Sequence, residues 1–299
     1  MEYLTKFITY LQHEKRYSPH TIMAYQNDLL QFQAFLSNNT SLEKVMRDDV
    51  RAWVVALVND NVGAKTISRK ISTLKSFYKY LLRNKWIEVV PTIDIAIPKQ
   101  KKELPHYIPV DEMNRLLNDI VFPGGMEGVR DHLIISLLYT TGIRSAELLG
   151  LTINNVRFND SSIKVLGKRN KERIIPLTLE VIKEFKAYMQ LRNKLTESNS
   201  HSYVFVTSKG QKIYYNLLYK IVNKYLSLVS KQSKTSPHVI RHSFATHMLN
   251  NGADLNGIKT ILGHASLAAT QIYTHNSIEQ LKSIHNQAHP RGGQKTRED

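Results

Sequence analysis

The sequence predicts a mainly α-helical protein with a small antiparallel β-sheet, arranged as a helical N-terminal domain followed by an α+β C-terminal domain. Three observations lead there. Apolar residues recur at steps of three and four along most of the chain, the period of a helix with one buried face. Only one stretch, residues 155–176, changes to β-forming chemistry. Four prolines, Pro91, Pro98, Pro105 and Pro109, then interrupt the helical pattern after its first third. Proline stiffens a linker and keeps the residue before it out of the helical region. The resulting division is 1–97, a linker at 98–109, a second domain at 110–289 and a flexible tail at 290–299. At 299 residues and 42% hydrophobic content, the chain is long and apolar enough for two cores.

The first domain reads as four helices. Tyr3, Phe7, Tyr10 and Leu11 share a face. Ser18-Pro19 is a cap followed by proline at the first helical position, opening a helix that runs to Leu36. A third helix spans Asp48 to Asn59, and Asn61-Val62-Gly63 is a turn. The fourth covers about Ala64 to Asn84, with Ile67, Ile71, Leu74, Tyr78 and Leu81 in one stripe. Lys65, Arg69, Lys75, Lys79 and Arg83 fall on the other side of the wheel. Such a row is either a solvated face or a helix aimed at nucleic-acid phosphates. No acid lies between Lys65 and Lys85, which favours phosphates.

The second domain opens at Val110-Asp111-Glu112. A helix from Glu127 to Tyr139 stops at Gly142, a left-handed cap. Arg144 follows, ahead of a short helix at Ser145–Leu149. In the β stretch Asn159-Asp160 is a turn, Ile163, Val165, Ile174 and Ile175 are strand formers, and Gly167-Lys168-Arg169-Asn170-Lys171 is a hairpin tip. Helices resume at Thr178–Lys194 and Tyr215–Leu228. Ser236-Pro237 starts another, which ends at Asn251-Gly252. A short one from Asp254 ends at Gly263, and His264 follows that glycine as Arg144 follows Gly142. Ser266 caps a helix carrying Tyr273. Ile278, Leu281 and Ile284 mark a C-terminal helix.

Composition narrows the chemistry. Without cysteine, disulfides, thiolate catalysis and cysteine-ligated zinc are excluded, and a cytoplasmic setting fits. The opening MEYLTKFITYLQ lacks the apolar core of a secretory signal, and no run reaches the roughly 18 apolar residues of a membrane span. The 41 Lys+Arg outnumber the 25 Asp+Glu, and a net +16 points to an anionic partner, nucleic acid first.

Arg144, Lys168, His238, Arg241, His264 and Tyr273 form one candidate constellation. Two guanidiniums can fork a phosphate, and a lysine can donate a proton to a leaving oxygen. A phenol with pKa near 10 attacks phosphorus only where its proton leaves and the resulting charge is stabilised. His238 and Arg241 share a helix face at a spacing of three. His238 and His242 have the i,i+4 spacing of metal ligands, but no acid stands beside them at metalloprotease spacing. No metal and no cofactor is therefore expected.

These residues lie in TGIRSAELLGL (Thr141–Leu151), LGKRNKERIIPL (Leu166–Leu177), HVIRHSFATHML (His238–Leu249) and LGHASLAATQIYTH (Leu262–His275). The segments resemble, in order, spacing and flanks, the motif boxes of the tyrosine site-specific recombinases, closest to the Xer-type chromosome-dimer resolvases. The similarity extends over nearly the whole chain, the first domain resembling their core-binding domain. It implies a catalytic set of Arg144, Lys168, His238, Arg241, His264 and the nucleophile Tyr273, a 3′-phosphotyrosyl intermediate, and no need for metal or ATP. Arg144 and Arg241 would clamp the phosphate and Lys168 would protonate the leaving 5′ oxygen. Glu147 would buttress Arg144 or serve only its own short helix. The resemblance also implies a C-shaped clamp on double-stranded DNA and a homo- or hetero-tetramer on two duplexes, with the C-terminal helix (about Ser277 to Gln287) docked on a neighbour or else on its own domain. A second Xer-type recombinase and a septal DNA translocase are further candidate partners. Arg169, where the family often has glycine, and Ile240 and Ala269 depart from the common pattern.

The two-domain length, with no arm-binding extension before the helical domain, favours the Xer role over an integrase or invertase of a mobile element. A binding protein without catalysis and a metal-dependent nuclease are the competing classes.

Overall fold

In the computed structural model the chain divides into two compact units, Met1–Glu103 and Leu104–Asp299. Residues 2–36, 41–98, 106–167, 172–195, 197, 200–231, 235–263 and 283–292 are described.

The first unit is helical: α1 (Glu2–His13), α2 (Pro19–Phe35), α3 (Arg47–Asn59) and α4 (Ala64–Arg83), with a 3-10 turn at Leu42–Lys44. Ser18 caps α2 as the sequence indicates, its side chain accepting from the Thr21 amide. The core gathers Phe7, Leu11, Leu29, Phe32, Trp53 and the whole predicted stripe of α4. Two charged residues, Asp28 and Lys70, share that interior. Asp28 is buried, and Lys70 Nζ donates to its Oδ1 at 3.1 Å while Thr73 Oγ1 donates to Oδ2 at 3.0 Å. Lys70 sits on the apolar side of α4, between Ile67 and Leu74, so its charge is matched from α2.

The second unit runs α5 (Val110–Asn118), α6 (Met126–Thr141), α7 (Ser145–Leu149), β1 (Val156–Arg157), β2 (Ser162–Leu166), β3 (Glu172–Pro176), α8 (Leu179–Arg192), α9 (Tyr215–Val229), α10 (Pro237–Asn250) and α11 (Leu255–Leu262). The sheet is antiparallel in the order β1-β2-β3. Arg157 faces Ser162, and the left-handed residue of the connecting turn is Ser161 at φ 46°, two positions later than Asn159. Residues 168–171, expected at the hairpin tip, lie outside the described residues, and β2 and β3 pair from Ser162↔Pro176 to Leu166↔Glu172 in one antiparallel ladder. Lys164 Nζ meets Glu172 Oε2 at 2.7 Å across it.

Helix α6 is buried almost along its entire length, Gly128 to Thr141, and forms the axis of this unit. It stops where the sequence places the stop. Gly142 has φ 58°, and a Cβ there would come within 2.6 Å of Phe244 on α10 and 2.7 Å of Leu262 on α11. The position therefore needs glycine twice, for the left-handed turn and for the close approach of two helices.

The last turn of α6 is also held by the end of the chain. Residues 283–288 are helical. His285 Nε2 donates to the Thr140 carbonyl at 2.6 Å and His289 Nε2 to the Tyr139 carbonyl at 3.2 Å, with the two rings stacked 4.9 Å apart. Arg291, only 4% exposed, reaches Asn118 Oδ1 at 2.9 Å and Glu180 Oε1 at 2.6 Å. Packing thus continues past residue 289, where a flexible tail was expected, because Arg291 has a carboxylate and an amide to meet. The described part of the C-terminal helix lies on its own unit; residues 277–282 lie outside the described residues.

Burial pushes His285 below its usual value. Burial and the neighbouring His285 push His289 well below it. Both rings are therefore neutral when folded, and the stability they contribute is full above about pH 6.5 and lost as the pH falls below it. We expect urea midpoints of the full chain to drop between about pH 6.5 and 5, and His289→Phe to flatten that slope. An identical slope in the variant would remove this histidine as the cause.

Candidate active site

The site is assembled at the C-terminal end of α11. A helix leaves its last carbonyls without intrahelical donors. Here α11 ends at Gly263, left-handed at φ 63°. Three arginines from three separate segments meet its last carbonyls in turn. Arg173 Nε, from β3, donates to Ile261 O at 2.9 Å. Arg241 Nη2, from α10, donates to Leu262 O at 2.8 Å. Arg144 Nη2, from the residue before α7, donates to Gly263 O at 2.7 Å. Cations at a helix C-terminus also face the negative end of its dipole. A Cβ on Gly263 would stand 3.0 Å from the Arg173 side chain, so glycine leaves that guanidinium its place.

Glu147 binds this cluster together. Its Oε1 accepts from Arg144 Nη1 at 2.8 Å and from Arg173 Nη1 at 2.6 Å. Its Oε2 accepts from the Arg144 amide at 2.9 Å and from Arg173 Nη2 at 2.8 Å. The two readings of Glu147 therefore both hold, since it caps its own helix and buttresses Arg144. Burial alone would raise the Glu147 carboxyl, but the Arg173 and Arg144 bonds outweigh it and hold the group below the usual carboxylate range. Arg241 also donates through Nη1 to the Gly142 carbonyl. Burial first, then the nearby charges of Arg144 and Arg173, lowers its guanidinium to about 10, which still leaves it charged at neutral pH.

Of the expected set, the structure brings Arg144 and Arg241 to consecutive carbonyls of one turn. His238 lies one turn before Arg241 on α10 and is exposed, with no hydrogen-bond partner among the described residues. Lys168, His264 and Tyr273 lie outside the described residues, as do Arg169 and Ala269. Ile240 is fully buried, away from any charged role. Arg173 was missed. Its signal was its place in the strand: by two-residue alternation it shares a face with Ile175, and an arginine on the buried face of a strand calls for a partner. Among the described residues no group of three His, Cys, Asp or Glu could hold a metal ion.

In the first unit Lys65, Arg69, Lys75, Lys79 and Arg83 are all exposed. Two of them are not free cations. Arg69 pairs with Asp28, and Arg83 lies 3.4 Å from Glu14 and over the Tyr10 ring. The acids come from α2 and from the residue that follows α1, which a search within α4 alone cannot find. Lys65, Lys75 and Lys79 have no acidic partner among the described residues. No described helix is long and apolar enough to cross a membrane.

Both units match known families. Residues 106–280 match the phage integrase family and residues 4–85 its N-terminal SAM-like domain. The chain belongs to the phage integrase family and is a tyrosine recombinase, an enzyme that cuts and rejoins DNA. It is 38% identical to the tyrosine recombinase XerC of Oceanobacillus iheyensis, over 97% of this chain and 96% of that one. It is 35% identical to XerD of Staphylococcus haemolyticus, over 96% and 98%. Among solved structures, the XerH recombinase in a post-cleavage complex with its difH substrate aligns with a TM-score of 0.72 at 23% identity, covering 94% of this chain and 82% of that one. The Tn1549 transposon integrase bound to circular intermediate DNA aligns at 0.70 with 19% identity, covering 93% and 98%. These two similarities concern the fold.

Because the folded Glu147 value is depressed, its contribution to stability is full above about pH 4.5 and lost as the pH falls through the folded value. The stability margin of the wild type over Glu147→Gln, taken from urea unfolding, should therefore shrink on acidification below about pH 4.5. A margin that stays constant in acid would mean the arginines do not hold this carboxylate charged.

Proposed function

We propose that the chain is a Xer-type recombinase acting on a specific double-stranded DNA site, with Tyr273 as nucleophile. The observation that carries this reading is the convergence of Arg144 and Arg241 on the turn that ends at Gly263, directly before His264 in the chain. Phosphoryl transfer asks a protein mainly for position and for charge opposite the non-bridging oxygens. Two guanidiniums fixed to one rigid turn supply both.

In the proposed reaction the Tyr273 oxygen bonds to the scissile phosphorus as its proton departs. The P–O5′ bond breaks, leaving a 3′-phosphotyrosyl link. Lys168 gives a proton to the 5′ oxygen, and His238 and His264 assist the phosphate and the proton transfer. A 5′-hydroxyl of a partner duplex then displaces the tyrosine. One ester is exchanged for another at each step, so no nucleotide hydrolysis is needed.

Lys65, Lys75 and Lys79 are proposed to meet the DNA backbone. Arg69 and Arg83 are weaker candidates for the same contact, because each already faces a carboxylate. Relatives named XerC and XerD support a role in resolving chromosome dimers with a second recombinase as partner; a cytoplasmic setting and four protomers on two duplexes belong to the same proposal.

The test begins with covalent capture of the protein on the genome. A single locus near the replication terminus is the expected outcome; element ends or invertible promoters would assign it to a mobile element. On a nicked duplex carrying the captured site, wild type should become covalently attached and Tyr273→Phe should not, with chelator making no difference. An adduct that persists in Tyr273→Phe rejects the nucleophile, and loss of cleavage in chelator rejects the mechanism. Lys79→Glu should weaken binding and make its salt dependence shallower by roughly one counterion. A salt slope equal to that of the wild type would put Lys79 away from the phosphates.

A further inference from the structure

We infer that Arg173 is a positioning residue for strand cleavage, acting through Glu147 to keep the charge of Arg144 available to the scissile phosphate. The inference rests on the reading of the site given above. Arg173 is 4% exposed, and its Nε, Nη1 and Nη2 are all engaged, with Ile261 O and with both oxygens of Glu147. It does not present a free edge to a substrate. What it does is hold the carboxylate that Arg144 also holds.

The charge count gives that contact a consequence for the reaction. Arg144 and Glu147 by themselves form a neutral pair. With Arg173 bidentate on the same carboxylate, the trio carries a net +1, and Arg241 beside it makes +2. A phosphodiester carries one negative charge and gains a second as the phenolate adds in the transition state. The extra positive charge from Arg173 therefore matches charge that develops during the reaction, where it lowers the barrier most. The geometry makes a second contribution. Arg173 fixes Ile261 O while Arg144 fixes Gly263 O, so Glu147 and the end of α11 hold Arg144 from two sides. A guanidinium held from two sides keeps its remaining donors aimed in one direction.

A role confined to folding and a role in charge placement are separated by changing the charge of the phosphate. The substrate is the nicked duplex carrying the captured site, prepared with either the natural phosphate or a methylphosphonate at the scissile position. The methylphosphonate is neutral and gains only one negative charge on attack, so it needs one positive charge less. For each variant we compare the rates of adduct formation on the two substrates within one preparation, so that any unfolded fraction cancels. In Arg173→Met the rate on the phosphate should fall by about 100-fold while the rate on the methylphosphonate holds, raising the ratio by the same factor. Arg173→Lys keeps the charge, and its ratio should stay near that of the wild type even if both rates drop. A ratio in Arg173→Met equal to the wild-type ratio overturns the inference and leaves Arg173 as a packing residue. A ratio raised equally in Arg173→Lys overturns the charge argument. Failure of the wild type to form an adduct on the phosphate would instead reject the reading on which this rests.

Discussion

The second unit depends on how two helices end. α6 and α11 both stop at a left-handed glycine, Gly142 and Gly263. Each leaves carbonyls that must find donors once they are out of water. Around α6 the donors are His285, His289 and Arg241; around α11 they are Arg173, Arg241 and Arg144. Arg241 serves both ends, so it locks one terminus to the other. The two cap glycines lie close enough for a methyl group on Gly142 to collide with Leu262. Satisfying two helix ends thus also gathers three cations from residues 144, 173 and 241 onto one turn. In this chain the backbone accounting and the site are the same set of bonds.

Much of this was legible in the sequence, for a definite reason. Glycine after a periodic apolar run marks a helix end, and Gly142, Gly252 and Gly263 do so here, each with a positive φ. Ser18-Pro19 and Ser236-Pro237 mark helix starts, and α2 and α10 begin there. The one change to β-formers became the one three-stranded sheet among the described residues. These signals are local, and each needs only its neighbours in the chain. Arg144 and Arg241 stood out because each follows such a signal closely.

What the sequence concealed was pairing between distant segments. Arg173 is one basic residue in a basic hairpin, and only the register of β3 turns it inward against Glu147, 26 positions away. Asp28, on α2, binds Arg69, Lys70 and Thr73 from α4. The row of five cations on α4 consequently carries less free charge than its composition suggests. Arg291, in a stretch read as tail, closes on Glu180 and Asn118. In each case the residue type was visible and its partner was not, because the partner is set by packing.

The electrostatics of the arginine cluster run against stability and in favour of the reaction. Three guanidiniums within reach of one carboxylate repel one another, and burial first, then the charges of Arg144 and Arg173, lower Arg241. A fold built for stability alone could have capped α11 with one cation, since a helix end gains only about 0.3–1 kcal/mol from a nearby charge. The additional arginines make sense if an anion completes the set. A bound phosphate would offset the repulsion that Arg144 and Arg173 exert on Arg241, and the greater the negative charge on the phosphoryl oxygens, the larger the offset. The strain held among these cations is therefore released progressively as charge builds on phosphorus, which is the direction a catalyst of strand transfer requires.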